Sequence, residues 1–130
     1  MLGMELLHVE VTEEIIGAAF RVHNVLGGGH REVVYQRGLA KELQARGLAV
    51  EEQFPVPVDY LGETIAETRV DFCVNKLVLV ELKAADCFRA QDFRQLNGYL
   101  IASGLQIGLL IAFAKDIVKI KRVANIVPNP

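Results

Sequence analysis

The sequence predicts an α/β domain, a mixed central sheet of about four to five strands flanked by helices. Two observations carry this reading. Helical and strand-like periodicities succeed one another in the order helix, helix, three strands, helix, two strands, which places one sheet between helical layers. The chain has 130 residues of which 52% are hydrophobic, a length suited to one domain and an apolar content sufficient for one core. We therefore expect a single domain over residues 1–130 with its core at about 12–123.

The first helix is expected from Thr12 to about Leu26, with apolar residues at Ile15, Ala18, Ala19, Val22 and Leu26, and Thr12 as its N-cap. Gly27, Gly28 and Gly29 then interrupt the helical pattern. A second helix is expected from His30 to Arg46, closed by Gly47. Strands follow at Val50 to Tyr60, where Pro55 and Pro57 indicate an edge, then at Thr64 to Val74 and Leu77 to Ala84. Residues 88–103 return to helix. The nearly continuous apolar run from Gln106 to Phe113 predicts an interior strand, and Ile117 to Val123 a final one. The terminal Val-Pro-Asn-Pro reads as a frayed end.

Charge excludes several functions. A net charge of -2 supplies no global basic field for nucleic acid or anionic lipid, so any such contact needs a local patch. The longest apolar run is too short to span a bilayer. Cys73 and Cys87 have no metal-ligand spacing, and no secretory leader is legible, which points to a soluble protein of a reducing cytoplasm. A P-loop and a dinucleotide-binding glycine fingerprint are missing, and the triple glycine follows a helix rather than a strand. His8, His23 and His30 all lie in the first quarter of the chain, without a clear nucleophile to serve.

Charges in apolar surroundings are the informative feature. In Asp71-Phe-Cys-Val-Asn-Lys-Leu-Val-Leu-Val-Glu81-Leu-Lys83, alternation puts Glu81 and Lys83 on one face of a strand whose two faces both look buried. A structural ion pair is one account, but burial costs such a pair much of its attraction. At about 100° per residue, Glu32 falls on the same helical stripe as Leu39 and Leu43. Register decides whether Asp71 joins the set. A two-residue Asn75-Lys76 turn turns Asp71 away from Glu81, whereas a three-residue turn over Asn75 to Leu77, or a bulge, pairs them directly. We expect the second arrangement. On the following helix, Gln95 and Tyr99 share a face.

Converging carboxylates suit a hard divalent cation, Mg²⁺ or Mn²⁺, with the Leu82 carbonyl as a further oxygen donor. A lysine beside such an ion can hold an attacking water and offset growing negative charge, the equipment of phosphodiester hydrolysis. These residues also form an ordered motif. Gly29-His-Arg-Glu32-Val-Val-Tyr35 reads as GxxExxY, Asp71 followed by Glu81-Leu82-Lys83 as D...ExK, and Gln95 to Leu100 as QLNGYL. The sequence from Thr12 to Val123 resembles the GxxExxY family of the PD-(D/E)XK nucleases.

The resemblance implies a restriction-endonuclease-like core and a Mg²⁺- or Mn²⁺-dependent nuclease. It assigns Asp71 and Glu81 as metal ligands, Glu32 as the acid that completes the metal site, Lys83 as the catalytic lysine, and Gln95 with Tyr99 as an auxiliary helix motif. Gly29 and Tyr35 are signature residues. Asp92 is a departure, standing where a histidine is frequent in the family, and so are Ala112 and Ala114 around Phe113. Lys119, Lys121 and Arg122 are the candidate nucleic-acid contacts, with DNA ahead of RNA as partner. Lys119 and Lys121 equally suit the protection of a sheet edge. The competing function is a non-catalytic module that keeps the fold and acts through a homodimer or a protein partner.

Overall fold

The computed structural model describes residues 7–125. Among the described residues three helices, α1 (Val9–Leu26), α2 (Glu32–Ala45) and α3 (Ala90–Ser103), surround five strands. The strands are β1 (Val50–Tyr60), β2 (Glu63–Val74), β3 (Val78–Lys83), β4 (Ile107–Phe113) and β5 (Val118–Ala124). They form one mixed sheet in the order β1-β2-β3-β4-β5. The β3–β4 pair is parallel and the other three pairs are antiparallel. The parallel step is bridged by α3, as a crossover requires.

Each face of the sheet has its own core. Val78, Val80 and Leu82 of β3 pack with Phe72, Val74 and the β4 residues Leu109 and Ile111 beneath Ile15, Ala19, Leu39 and Leu43 of α1 and α2. Leu79 and Leu110 point the other way and pack under Leu96 and Leu100 of α3. Strand β4 is buried along its whole length, which is why its sequence reads as an unbroken apolar run. Pro55 and Pro57 do lie on the edge strand β1.

Two helix boundaries differ from expectation. His8, in the left-handed conformation at φ 58°, occupies the N-cap of α1. Thr12 is instead buried in the first turn, its hydroxyl donating to the Val9 carbonyl at 3.1 Å. The threonine that looks like a cap is tying a turn together from inside it. Helix α2 starts two residues later than expected, at Glu32. Gly47 follows its end at φ 82°, as the sequence indicates. The Val-Pro-Asn-Pro end lies outside the described residues, among which no helix is long and apolar enough to cross a membrane.

The turn that governs register has three residues. Val74 pairs with Val78, Cys73 with Leu79 and Phe72 with Val80, leaving Asn75 to Leu77 as the connection. Asn75 and Lys76 both take positive φ. Asn75 is fixed by two bonds to Ala49, its amide donating to the Ala49 carbonyl and its side-chain oxygen accepting the Ala49 amide, each 2.8 Å. An asparagine tolerates this backbone better than most residues.

Candidate active site

The ladder between β2 and β3 stops at Phe72 and Val80. Beyond it β2 stays with β1, while β3 stays with β4 as far as Lys83. The sheet forks, and the two carboxylates bridge the fork. The Asp71 amide donates to Glu81 Oε1 at 2.9 Å, and the Leu82 amide donates to Asp71 Oδ2 at 2.8 Å. Side-chain oxygens thus replace the missing ladder bonds: the three-residue turn brings Asp71 to Glu81 as expected, but the two meet through their carboxylates and not as a direct ladder pair. One carboxylate oxygen on each acid is left for other partners.

Strand β2 changes face at this point. Phe72 and Val74 pack on the α1–α2 side, yet Val70, two residues before Phe72, packs on the α3 side with Val56. A regular strand would keep all three on one face. Across from Asp71, Gln53 of β1 takes φ 49° and interrupts the ladder between the Glu52–Phe72 and Phe54–Val70 pairs. Such a backbone costs a non-glycine residue about 1 kcal/mol or more. The Gln53 carbonyl is held by the Arg69 guanidinium at 3.0 Å, and its side chain draws the Asp71 carboxyl partly back down. Sequence reasoning missed Gln53; its only signal is the polar run Glu51-Glu52-Gln53, which breaks strand alternation.

Electrostatics mark the fork as a place where negative charge is costly. Burial, followed by the neighbouring Asp71, pushes the Glu81 carboxyl up to about 7. Asp71 is raised by burial, although the Leu82 amide, Lys83 and Gln53 oppose the shift. Glu32 is raised by partial desolvation of its carboxyl and by Asp71, with Lys83 and the Ala84 backbone drawing it partly back. The field of Asp71 therefore reaches Glu32 on α2.

Glu32 does not lie on the buried stripe, however. It is exposed, because α2 begins at this residue and the stripe of Tyr35, Leu39 and Leu43 is covered only from the next turn onward. Its placement comes from Tyr35. That ring is fully buried and stacks on Phe113 with centroids 4.4 Å apart and planes 5° from parallel. Its hydroxyl donates to the Gly27 carbonyl at 2.8 Å and accepts the His30 amide at 3.2 Å. The tyrosine thus clamps the glycine loop that delivers Glu32. In that loop Gly29 takes φ 90°, and a Cβ on Gly28 would lie 2.0 Å from the Lys115 carbonyl oxygen.

Lys83 leans toward α3, its Nζ 3.8 Å from Asp92 Oδ1. On the same helix Gln95 and Tyr99 line a groove shared with Val56, Asp59 and Thr68. The Tyr99 hydroxyl lies 3.4 Å from Thr68 Oγ1, and Gln95 is exposed. The basic residues of β5 diverge. Lys121 is exposed, and Lys119 Nζ donates to the Asp86 carbonyl. Arg122 turns into the protein, donating to Thr12 Oγ1 at 3.2 Å and to the Leu7 carbonyl. Arg122 was expected as a nucleic-acid contact; its position on the α1 side of β5 commits the guanidinium to the start of α1.

Among the described residues no three His, Cys, Asp or Glu side chains are drawn together closely enough to form a ready-made cage. The donor chemistry nevertheless fits a hard cation. It is all oxygen, two acids face each other with an oxygen apiece in reserve, and a third stands within their field.

A family model described as the PD-(D/E)XK nuclease superfamily matches residues 9–123. The chain belongs to this superfamily. The match to the PD-(D/E)XK model spans the fork, the glycine loop and α3 together. Among solved structures the chain is similar to SSO0001, with a TM-score of 0.58 and 16% identity over 74% of this chain and 50% of that one. It thus spans half the length of that protein. An alkaline exonuclease, LHK-Exo from Laribacter hongkongensis, aligns at a TM-score of 0.43 and 13% identity, covering 88% of this chain and 82% of that one. No curated protein matches the sequence.

Proposed function

We propose that this PD-(D/E)XK chain is a metal-dependent nuclease of the GxxExxY branch, folded as one domain, that hydrolyses phosphodiester bonds of nucleic acid. The observation that carries this reading is the fork itself, where Asp71 and Glu81 face each other across splayed strands and Glu81 is pushed up to about 7. Folding two acids together without a counter-ion is unfavourable, and a site that admits a divalent cation is the physical reason to keep them so.

Asp71 and Glu81 would hold Mg²⁺ or Mn²⁺, with the Leu82 carbonyl and Glu32 as further donors. When bound, the cation supplies Lewis-acid activation of the phosphoryl group and of the attacking water. Lys83, on the same face of β3 as Glu81, orients that water and balances charge on the phosphoryl oxygens. The amides of Asp71 and Leu82 fix the orientation of both carboxylates, so neither must reorganise during the reaction. Gln95 and Tyr99 line the groove through which a strand would approach, and exposed Lys121 can meet its phosphates. Free Cys73 and Cys87 agree with a reducing, cytoplasmic setting.

The test is cleavage of single- and double-stranded DNA and RNA with Mn²⁺, beside Lys83→Ala. DNA cut by the wild type and spared by the variant supports the reading. Equal cleavage by both proteins, or none by either on any substrate, overturns it. A second reading, a non-catalytic module working through a homodimer or partner, draws support from Val58, Tyr60, Leu61 and Ile65, apolar side chains exposed at the far end of the β1–β2 hairpin. A folded, metal-binding protein that cuts nothing and sediments as a dimer would favour it.

A further inference from the structure

Asp92 has no assigned part in the chemistry above. It is buried, a state it shares among the described polar and charged residues with only Thr12 and Glu81. It sits in the first turn of α3, where Oδ2 accepts the Arg89 amide at 2.9 Å and closes the helix N-terminus. From this N3 position the reach back to the N-cap amide needs one acceptor oxygen and no charge, since a neutral glutamine serves there as well as a glutamate. The second oxygen is turned to Lys83, 3.8 Å from Nζ. Among the described residues it is the acid within ion-pair distance of that ammonium; Glu32, Asp71 and Glu81 act on it from further away.

We infer that Asp92 is a positioning residue for Lys83, holding its ammonium at the fork from the α3 side. This rests on the hydrolytic reading above for its purpose, though not for its geometry. With the three acids given over to a cation, Lys83 has a positive neighbour on one side and needs a negative one on the other. Asp92 meets that need without competing for the ion, because its other oxygen is tied to the Arg89 amide and its backbone belongs to a separate helix. At 3.8 Å the contact is an ion pair through space rather than a hydrogen bond, so it restrains the ammonium without consuming a donor. Asp92 also links Lys83 to the helix that carries Gln95 and Tyr99.

The decisive variant is Asp92→Asn, which keeps the capping oxygen and the side-chain volume while removing the charge. Asp92→Gln, the neutral residue that a capping box also accepts at this position, is the second variant should the first fold poorly. The main readout is the order of the Lys83 side chain, read as the relaxation of its ε-carbon in ¹³C-labelled protein against that of exposed Lys121, with and without MgCl₂. Loss of the counter-charge should free the ammonium and lower the Lys83 order parameter by about half in Asp92→Asn and Asp92→Gln, and Asp92→Glu should bring it back toward wild type. In a cleaving protein, kcat should fall about tenfold in Asp92→Asn with KM within about twofold, the mark of a reaction-step defect. An unchanged Lys83 order parameter in both uncharged variants overturns the inference whether or not the protein cleaves. A wild type that cuts nothing, with a Lys83 order that still responds to Asp92, overturns the nuclease reading alone.

Discussion

Replacing Glu81 by glutamine should make the metal-free protein more stable at pH 8, although it removes a buried charged residue from the centre of the sheet. The folded-state carboxyl stands at about 7 against its ordinary 4.5. Below about pH 4.5 it is protonated in both folded and unfolded states and contributes no difference. As pH rises from 4.5 to 7, the unfolded chain releases a proton that the folded chain retains, so stability falls across that window and stays reduced above it. At about 1.4 kcal/mol for each tenfold difference in proton affinity, the full loss is about 3 kcal/mol.

Glutamine keeps an oxygen for the Asp71 amide and carries no charge, but its NH₂ needs a partner; a gain of about 2 kcal/mol is the reasonable magnitude. For a domain of this size that is a rise of about 6–10 °C in Tm. Thermal or urea unfolding at pH 5 and pH 8 in EDTA, for wild type and Glu81→Gln, measures it. The wild type should lose stability between the two pH values, and the variant should lose markedly less. A variant less stable than wild type at pH 8, or an identical pH response in the two proteins, would refute the account of the fork as a strained acid pair.

Millimolar Mn²⁺ should raise the Tm of the wild type, by about 1.4 kcal/mol of stability at tenfold excess over Kd, and should leave Asp71→Asn unmoved in a fluorescence melt. Tyr35→Phe, which strips partners from the Gly27 carbonyl and the His30 amide, should cost about 1–2 kcal/mol in urea unfolding with an unchanged m value. Gly28→Ala pushes a methyl group into the Lys115 carbonyl, and a loss of about 1–3 kcal/mol should appear in the same experiment.

Element order and type were legible because periodicity reports burial directly. The apolar run of β4 announced a strand covered on both faces, and the two prolines of β1 announced an edge. The register at the fork was legible only as a choice between two turns. What decides it is the pair of bonds between Asn75 and Ala49, a contact 26 residues apart in the chain that no local pattern contains. Glu32 was found by its motif and misplaced by its angle, because helical periodicity cannot say where a helix begins. Asp92 and Gln53 went unassigned for a related reason. Each acts through a neighbour on another element, and single-sequence spacing carries no trace of such a partner.

The amides of Asp71 and Leu82 are themselves a pair of built-in gauges. Each proton is tied to the carboxylate of the facing strand rather than to a carbonyl, so its nuclear magnetic resonance shift and its exchange with solvent follow the state of that carboxylate. Protonation, ion capture or a neutralising substitution should move these two signals while the amides of β4 hold still. The chemistry of the centre can therefore be watched at two backbone positions, without a substrate and without turnover.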